Sequence, residues 1–338
     1  VTQRAIIRST GMHVPARVVT NHDLQQYMDT SDEWIQQRTG IRQRHWVPET
    51  GETGASDLAL AASKQALERA GWAPEDVELI LFGTLSPDLN FPGSGCLLQA
   101  KLGLETVPAM DIHNQCSGFL YGLATADAMI RSGQYRRILL VGAEVHSTGL
   151  DISTRGRDVA VIFGDGAGAV CIEADENVGD AGVLANALHA QGAYARELMT
   201  ELPASSQSPR MTPAGLAAGR HYPHMNGAAV FKHAVRRLPQ VTEEVLAQAG
   251  VAAAQVDLVI PHQANRRINE FVARALKLDD SQIVHTIEDY GNTTAASIPM
   301  ALHHAIEAGR VQSGALLLFL AFGAGFTWAA SLYRVPEA

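Results

Sequence analysis

The feature that most constrains this chain is that it repeats itself. LERAGWAPEDVELILFG, from Leu67, and LAQAGVAAAQVDLVIPH, from Leu246, align without a gap at an offset of 179 residues. Each reads as the end of a helix, a break at Gly71 or Gly250, and a buried strand. A second pair, DAMIRSGQ and HAIEAGRVQ, aligns at an offset of 176 when Gly133 is set on Gly309. A third sets FGDGAGAV, from Phe163, beside FGAGFTWA, from Phe322, at an offset of 159. The repetition predicts two α/β halves related by a pseudo-twofold axis, residues 1–178 and 179–338. Near-continuous apolar strands such as ILLVGAE and ALLLFLAF need helices over both faces of their sheets, which predicts a layered α/β/α/β/α body. The Pro-, Ser- and Gly-rich stretch 194–225 reads as an irregular insertion in the second half.

Composition excludes several other classes. A net charge of −9 over 338 residues argues against a nucleic-acid binder. Lys232, Arg236 and Arg237 nevertheless cluster, as do Arg266, Arg267 and Arg274, either as solvated helix faces or as a local attraction for an acidic partner. Cys96, Cys116 and Cys171 are an odd number without CxxC spacing, so free thiols, a cytoplasmic setting and no metal site are expected. The first twenty residues carry no secretory signal pattern, and Val1 in place of Met reads as a trimmed or non-standard start. Ser313 to Tyr333 is free of charge over the length of a membrane span, but the turn signal Gly323–Gly325 divides it into two buried strands.

Within this frame Cys116 draws attention. VPAMDI reads as a strand and SGFLYGLATADAMIRSG as a helix, which places the cysteine at a strand-to-helix turn. Helix N-terminal amides are expected to lower its thiol pKa from the free value near 8.5. A cysteine in an apolar context is otherwise a small core residue, and Cys96 and Cys171 read that way. The 176 offset sets Cys116 opposite Asn292, and the 179 offset sets His262 opposite Gly83.

DIHNQCSGFLYGL, PHQANRRI, YGNTTAASIP and FGAGFTW together resemble the four active-site segments of the β-ketoacyl-acyl-carrier-protein synthase III family, within the thiolase superfamily. TSDEWIQQRTGIRQRH, from Thr30, resembles that family's coenzyme A-binding segment, and FGDGAGA is also typical of it. The matches run in order over nearly the whole chain. The resemblance implies the thiolase-like duplicated five-layer architecture and a Cys116, His262, Asn292 triad. Cys116 is then the nucleophile toward an acyl-coenzyme A, and the N–H groups of Cys116 and Ala324 form the oxyanion hole. His262 and Asn292 are donors to the thioester oxygen of malonyl-carrier protein.

For coenzyme A, the resemblance implies Trp34 and Arg157 at the adenine, Thr30 and Arg38 at the nucleotide, and Gly227 and Asn265 along the pantetheine tunnel. Arg155 lies near enough in sequence to compete with Arg157. Phe91, the residue that a partner copy inserts in this family, is expected at the acyl pocket with Gln115, Phe163 and Phe322, which implies a homodimer. Lys232, Gln263, Ala264, Asn265, Arg266, Arg267 and Arg274 are expected to dock the acidic carrier protein. No metal or resident cofactor is implied, because acyl-coenzyme A is a substrate.

Asn292 favours the decarboxylative, initiating branch, since chain-elongating relatives use a second histidine and the hydroxymethylglutaryl and head-to-head condensing branches depend on a glutamate. Gln115 departs from the small residue usual before the nucleophile, the insertion around 196–224 is longer than the family pattern, and GAG replaces a triple glycine. The implied activity is condensation of an acyl-coenzyme A starter with malonyl-carrier protein, initiating fatty acid synthesis. Alternatives are an acyl-condensing or acyl-transfer enzyme of secondary metabolism or signalling, a thioester hydrolase in which water takes the second step, and a carrier-binding scaffold, against which the intact triad argues.

Overall fold

The computed structural model describes residues 3–337, so Val1 lies outside it. One mixed sheet holds β1 (Arg4–His13), β2 (Leu79–Gly83), β3 (Ala109–Ile112), β4 (Arg137–Glu144) and β5 (Gly166–Asp175), in spatial order β1-β5-β4-β2-β3. The other holds β6 (Gly182–Ala190), β7 (Leu258–Pro261), β8 (Leu316–Gly323) and β9 (Thr327–Arg334), in the order β7-β8-β9-β6. The 178/179 division falls in the connection between β5 and β6. The helices used below are α1 (Asp32–Thr39), α2 (Ala55–Ala70), α3 (Ser94–Lys101), α4 (Gly118–Arg131), α5 (Gly227–Ala249), α6 (Arg266–Leu276) and α7 (Ser297–Glu307).

Helices α4 and α7 lie between the sheets, where Phe119, Leu123, Ile298 and Ala301 pack with Leu81, Leu140, Leu317 and Phe319 in one buried cluster. Helices α2 and α3 cover the outer face of the first sheet, and α5 and α6 that of the second. This is the five-layer α/β/α/β/α arrangement expected from the sequence. Strand β8 shows why its sequence is apolar at every position: Leu317, Phe319 and Ala321 face the central layer while Leu316, Leu318, Leu320 and Phe322 face the outer one. Strands β8 and β9 pair antiparallel, and among the described residues no helix is long and apolar enough to cross a membrane.

The duplication is real, but its register needs correcting. Asn114 and Gln115 enter a 3-10 turn with φ −119° and +44°, and Thr293 and Thr294 enter the equivalent turn with φ −98° and +48°. The 179 offset therefore still holds at the start of α4 and α7, so Cys116 mirrors Ala295, and Asn292 mirrors His113. The 176 offset holds only at the helix ends, because α7 has 11 residues and α4 has 14. The 159 alignment does not reflect equivalent positions: Phe322 is in β8 while Phe163 precedes β5.

Two other local findings matter for the site. The stretch 194–225 is more ordered than its composition suggests, since Leu198–Thr200 pairs with Pro223–Met225, Leu202 is buried, and Arg220 binds Glu201. Arg44 is fully buried, and its guanidinium donates to Val19 O (3.1 Å), Asn21 Oδ1 (2.8 Å) and Val161 O (2.8 Å). Burial lowers its pKa to about 10, so it stays charged at neutral pH. This arginine ties the segment before α1 to the segment that carries Ile162 and Phe163. Arg44→Met strands three buried acceptors and is expected to destabilise the fold by about 3–5 kcal/mol, read as a lower urea midpoint.

Candidate active site

The duplicated turns meet between the two sheets. A Cβ placed on Gly83 or on Gly118 would sit 3.5 Å from the Ala295 methyl, so the turn leading into α4 packs against the turn leading into α7. Cys116, in the first of these turns, is buried. A Cβ on Gly323 would lie 2.8 Å from Cys116 Sγ, so only glycine lets the end of β8 pass so close. The backbone N–H groups of Ala324 and of Cys116 itself favour the thiolate of Cys116 and oppose the effect of burial. Those two amides are the ones expected to form the oxyanion hole.

Burial pushes the Cys116 thiol up to about 12, and the nearby Glu144 carboxylate adds to the rise, while the two N–H groups act in the opposite direction. The expectation of a lowered thiol pKa is therefore corrected. The helix N-terminus is present, but the site is dry and a carboxylate lies behind it. The alkylation rate of Cys116 by iodoacetamide is expected to keep climbing above pH 9. A plateau at neutral pH would contradict a thiol held in its protonated form.

His262 follows β7 directly, with its N–H bonded to Leu320 O at 2.7 Å. Its Nδ1 lies 2.6 Å from Ser297 Oγ, at the first residue of α7, and its buried Nε2 has no partner among the described residues. The Gln263 N–H donates to Ser297 Oγ (3.4 Å), and with the Ser297 hydroxyl donating to Nδ1, its one acceptor among the described residues, the imidazole carries its hydrogen on Nε2. Burial lowers the His262 pKa to about 3, which keeps the ring neutral. Asn292 accepts from the Thr294 N–H through Oδ1 (2.9 Å), which leaves its Nδ2 as an uncommitted donor among the described residues. A buried thiol and two neutral donors, Nε2–H and Nδ2–H, are thus held on elements that pack together.

The chain matches the family models for the 3-oxoacyl-[acyl-carrier-protein (ACP)] synthase III domain over residues 110–192 and for the C-terminal domain of the same synthase over residues 246–335. It is 46% identical to the beta-ketoacyl-[acyl-carrier-protein] synthase III of Rhodospirillum centenum, covering 98% of this chain and 99% of that one. The chain belongs to the β-ketoacyl-acyl-carrier-protein synthase III family. Its fold is accordingly thiolase-like, and it is a condensing enzyme of fatty acid synthesis. The crystal structure of the Aquifex aeolicus 3-oxoacyl-[acyl-carrier-protein] synthase III superposes with a TM-score of 0.88 at 41% identity, covering 98% of this chain and 99% of that one. The priming β-ketosynthase of the R1128 polyketide pathway also superposes, with a TM-score of 0.90 at 28% identity, covering 100% of this chain and 98% of that one.

In this synthase III chain the residues expected to bind coenzyme A are only partly gathered. The Arg38 and Arg157 guanidinium carbons lie 4.4 and 5.2 Å from the Trp34 ring centroid. Arg155 instead binds Asp151 and lies over Tyr222, which separates it from Trp34. Thr30 carries a buried hydroxyl with no partner among the described residues. Gly227 opens α5 in free space, with only the Met225 methyl as near as 3.9 Å to a Cβ there. Asn265 caps α6 by accepting from the Arg267 N–H, and its amide donates to Arg38 O (2.8 Å), joining α6 to α1.

The expected docking set needs correction. Gln263 is buried, donating to Pro261 O and Val284 O and accepting from the N–H groups of Thr286 and Ile287, so it braces the fold and meets no partner. Ala264 is half-buried. Arg266 is bound to Glu270 and Glu288, which cancel its charge. Lys232, Arg267 and Arg274 are exposed and have no acidic partner among the described residues.

Around the expected acyl pocket, Phe163 packs with Trp46 and His146 while Phe322 stacks with Trp328 and meets Phe326 at a tilt, so the two belong to different apolar clusters. Gln115 is half-buried with φ +44°, and its amide makes one long bond, to His113 O at 3.4 Å. Phe91 is 83% exposed on its own chain. Ser297, Glu144, His146 and Thr294 are site residues that sequence reasoning missed. Their partners are distant in sequence, and only the YGNTTAASIP segment hinted at two of them.

Proposed function

We propose that this enzyme condenses an acyl-coenzyme A starter with malonyl-acyl-carrier protein to give a 3-ketoacyl-carrier protein, initiating fatty acid synthesis. The observation that carries this reading is the pair of neutral donors, His262 Nε2–H and Asn292 Nδ2–H, held on elements that pack against the turn of the buried Cys116 thiol. In the first step the Cys116 sulfur bonds to the acyl carbon, the carbon–sulfur bond to coenzyme A breaks, and the thiol proton leaves on the coenzyme A sulfur. In the second, malonyl-carrier protein loses carbon dioxide, and the enolate oxygen takes the two donors. Its carbon attacks the acyl-enzyme carbonyl, the N–H groups of Cys116 and Ala324 hold the oxyanion, and collapse returns Cys116, which regains a proton. Neutral donors suit this step because charge develops on oxygen, and the chemistry calls for no resident cofactor.

Trp34 with Arg38 and Arg157 suits a purine and its phosphates, with Thr30, Gly227 and Asn265 along the rest of coenzyme A. The exposed Phe91, with Leu89 and with Met110 on the unpaired edge of β3, favours a homodimer in which the partner's copy of the Phe91 loop completes the acyl pocket beside Gln115. The free thiols suit a cytoplasmic setting. Lys232, Arg267 and Arg274 fit an acidic carrier protein. Arg267→Glu is expected to raise KM for malonyl-carrier protein several-fold, with a weaker salt dependence, and to leave KM for acyl-coenzyme A unchanged. Equal changes in both constants would count against docking there.

The reading is tested by mixing acyl-coenzyme A, malonyl-carrier protein and enzyme and analysing the products. A chain-extended product with stoichiometric carbon dioxide supports it. Free acid without extension favours a hydrolase.

A further inference from the structure

Asn292 can stabilise an enolate only if its amide presents nitrogen and not oxygen to the substrate, so something must fix its orientation. The bond that does so comes from Thr294, whose N–H donates to Asn292 Oδ1 at 2.9 Å. Thr294 has φ +48°, a conformation that a β-branched residue adopts only when its surroundings hold it there. Its holders come from the other half of the chain. The Thr294 hydroxyl lies 2.8 Å from His146 Nε2, and the next amide, of Ala295, donates to Glu144 Oε1 at 3.3 Å. His146 and Glu144 both stand at the exit of β4. The His146 N–H is in turn bonded to the buried Asp165 at 2.6 Å, and the His146 ring packs 4.7 Å from Phe163. Asn292 itself is tied to the same half, its N–H bonding to Ile162 O and its carbonyl accepting from Gly164.

We infer that His146 and Thr294 are positioning residues for the decarboxylation step: the His146 ring of the first half holds the left-handed Thr294 of the second, and Thr294 turns the Asn292 amide so that Nδ2 faces the substrate. His146 is buried and burial keeps it neutral, and nothing in the condensation chemistry requires it to touch substrate. The inference rests on the decarboxylative reading given above.

The test uses Thr294→Val, which removes the hydroxyl at nearly constant shape, with Thr294→Ser as the rescue and His146→Leu as the partner variant. Acylation by acyl-coenzyme A is read by intact mass, and decarboxylation of malonyl-carrier protein is read separately as carbon dioxide release. Thr294→Val and His146→Leu are each expected to slow carbon dioxide release roughly tenfold to a hundredfold and to leave acylation within about twofold. Thr294→Ser should restore release, and combining Thr294→Val with Asn292→Ala should be no worse than Asn292→Ala alone. Equal loss in both half-reactions, or full additivity with Asn292→Ala, would overturn the inference. A wild-type enzyme that acylates but releases no carbon dioxide would instead overturn the decarboxylative reading on which the inference stands.

Discussion

Cys116→Ala is expected to abolish acylation and to lower turnover by on the order of 10⁴-fold or more, because the proposed acyl-enzyme forms on the Cys116 sulfur. The other two cysteines cannot substitute. Cys171 is buried in the outer layer beside α2, as expected, whereas Cys96, expected in the core, is exposed on α3. The substitution removes one sulfur next to Gly323 and leaves the Ala324 turn and both donors in place. Carbon dioxide release from malonyl-carrier protein should therefore persist in Cys116→Ala while acyl-enzyme disappears, as measured by radiolabelled release and intact mass on the same sample. An acylated Cys116→Ala enzyme would show that the nucleophile is misassigned.

The complementary substitutions should fail in the opposite way. His262→Ala and Asn292→Ala each remove one donor to the enolate oxygen, and each is expected to lower carbon dioxide release on the order of 10²–10³-fold. Acylation should survive in both, because the oxyanion hole proposed for the first step uses only the backbone N–H groups of Cys116 and Ala324. His262→Ala also leaves Ser297 without its ring partner, and Asn292→Ala frees the Thr294 N–H, so some loss of stability should accompany the kinetic effect. Loss of acylation equal to loss of decarboxylation would mean that the two residues serve the first step as well.

Much of the fold and the site was legible in the sequence because both depend on local patterns. Helix, break and strand recur at Gly71 and Gly250, both with positive φ at the ends of long helices, and the apolar run of β8 and β9 is interrupted at Gly323. The turn that holds Cys116 lies between a strand and a helix, and a period change marks it. What sequence could not supply was anything decided by a distant partner. The pairing of Cys116 with Asn292 was wrong because α7 is three residues shorter than α4, a difference that appears only when backbone angles are matched. Gln263 was expected to meet the carrier protein, but its amide satisfies four buried backbone groups. Nothing in the residues around Arg44 marks the three acceptors that close on its guanidinium. The thiol pKa went astray because the sequence shows the helix N-terminus but neither the dry surroundings nor Glu144 behind the sulfur.

Phe91, Leu89 and Met110 are apolar and exposed, and their composition alone suggests a buried role that a single chain does not give them. The basic residues at positions 232, 267 and 274 have no acidic partner among the described residues, beside an Arg266 that has two, a distinction that a charge run cannot make.

The central claim is that one acyl group passes through Cys116. It is tested most directly by incubating the enzyme with a single acyl-coenzyme A, digesting it, and locating the added mass, before and after a chase with malonyl-carrier protein. The predicted result is an acyl mass confined to the peptide that contains Cys116, lost on the chase in step with the appearance of 3-ketoacyl-carrier protein. Acyl mass on another residue, or a Cys116 adduct that persists while product accumulates, would contradict it.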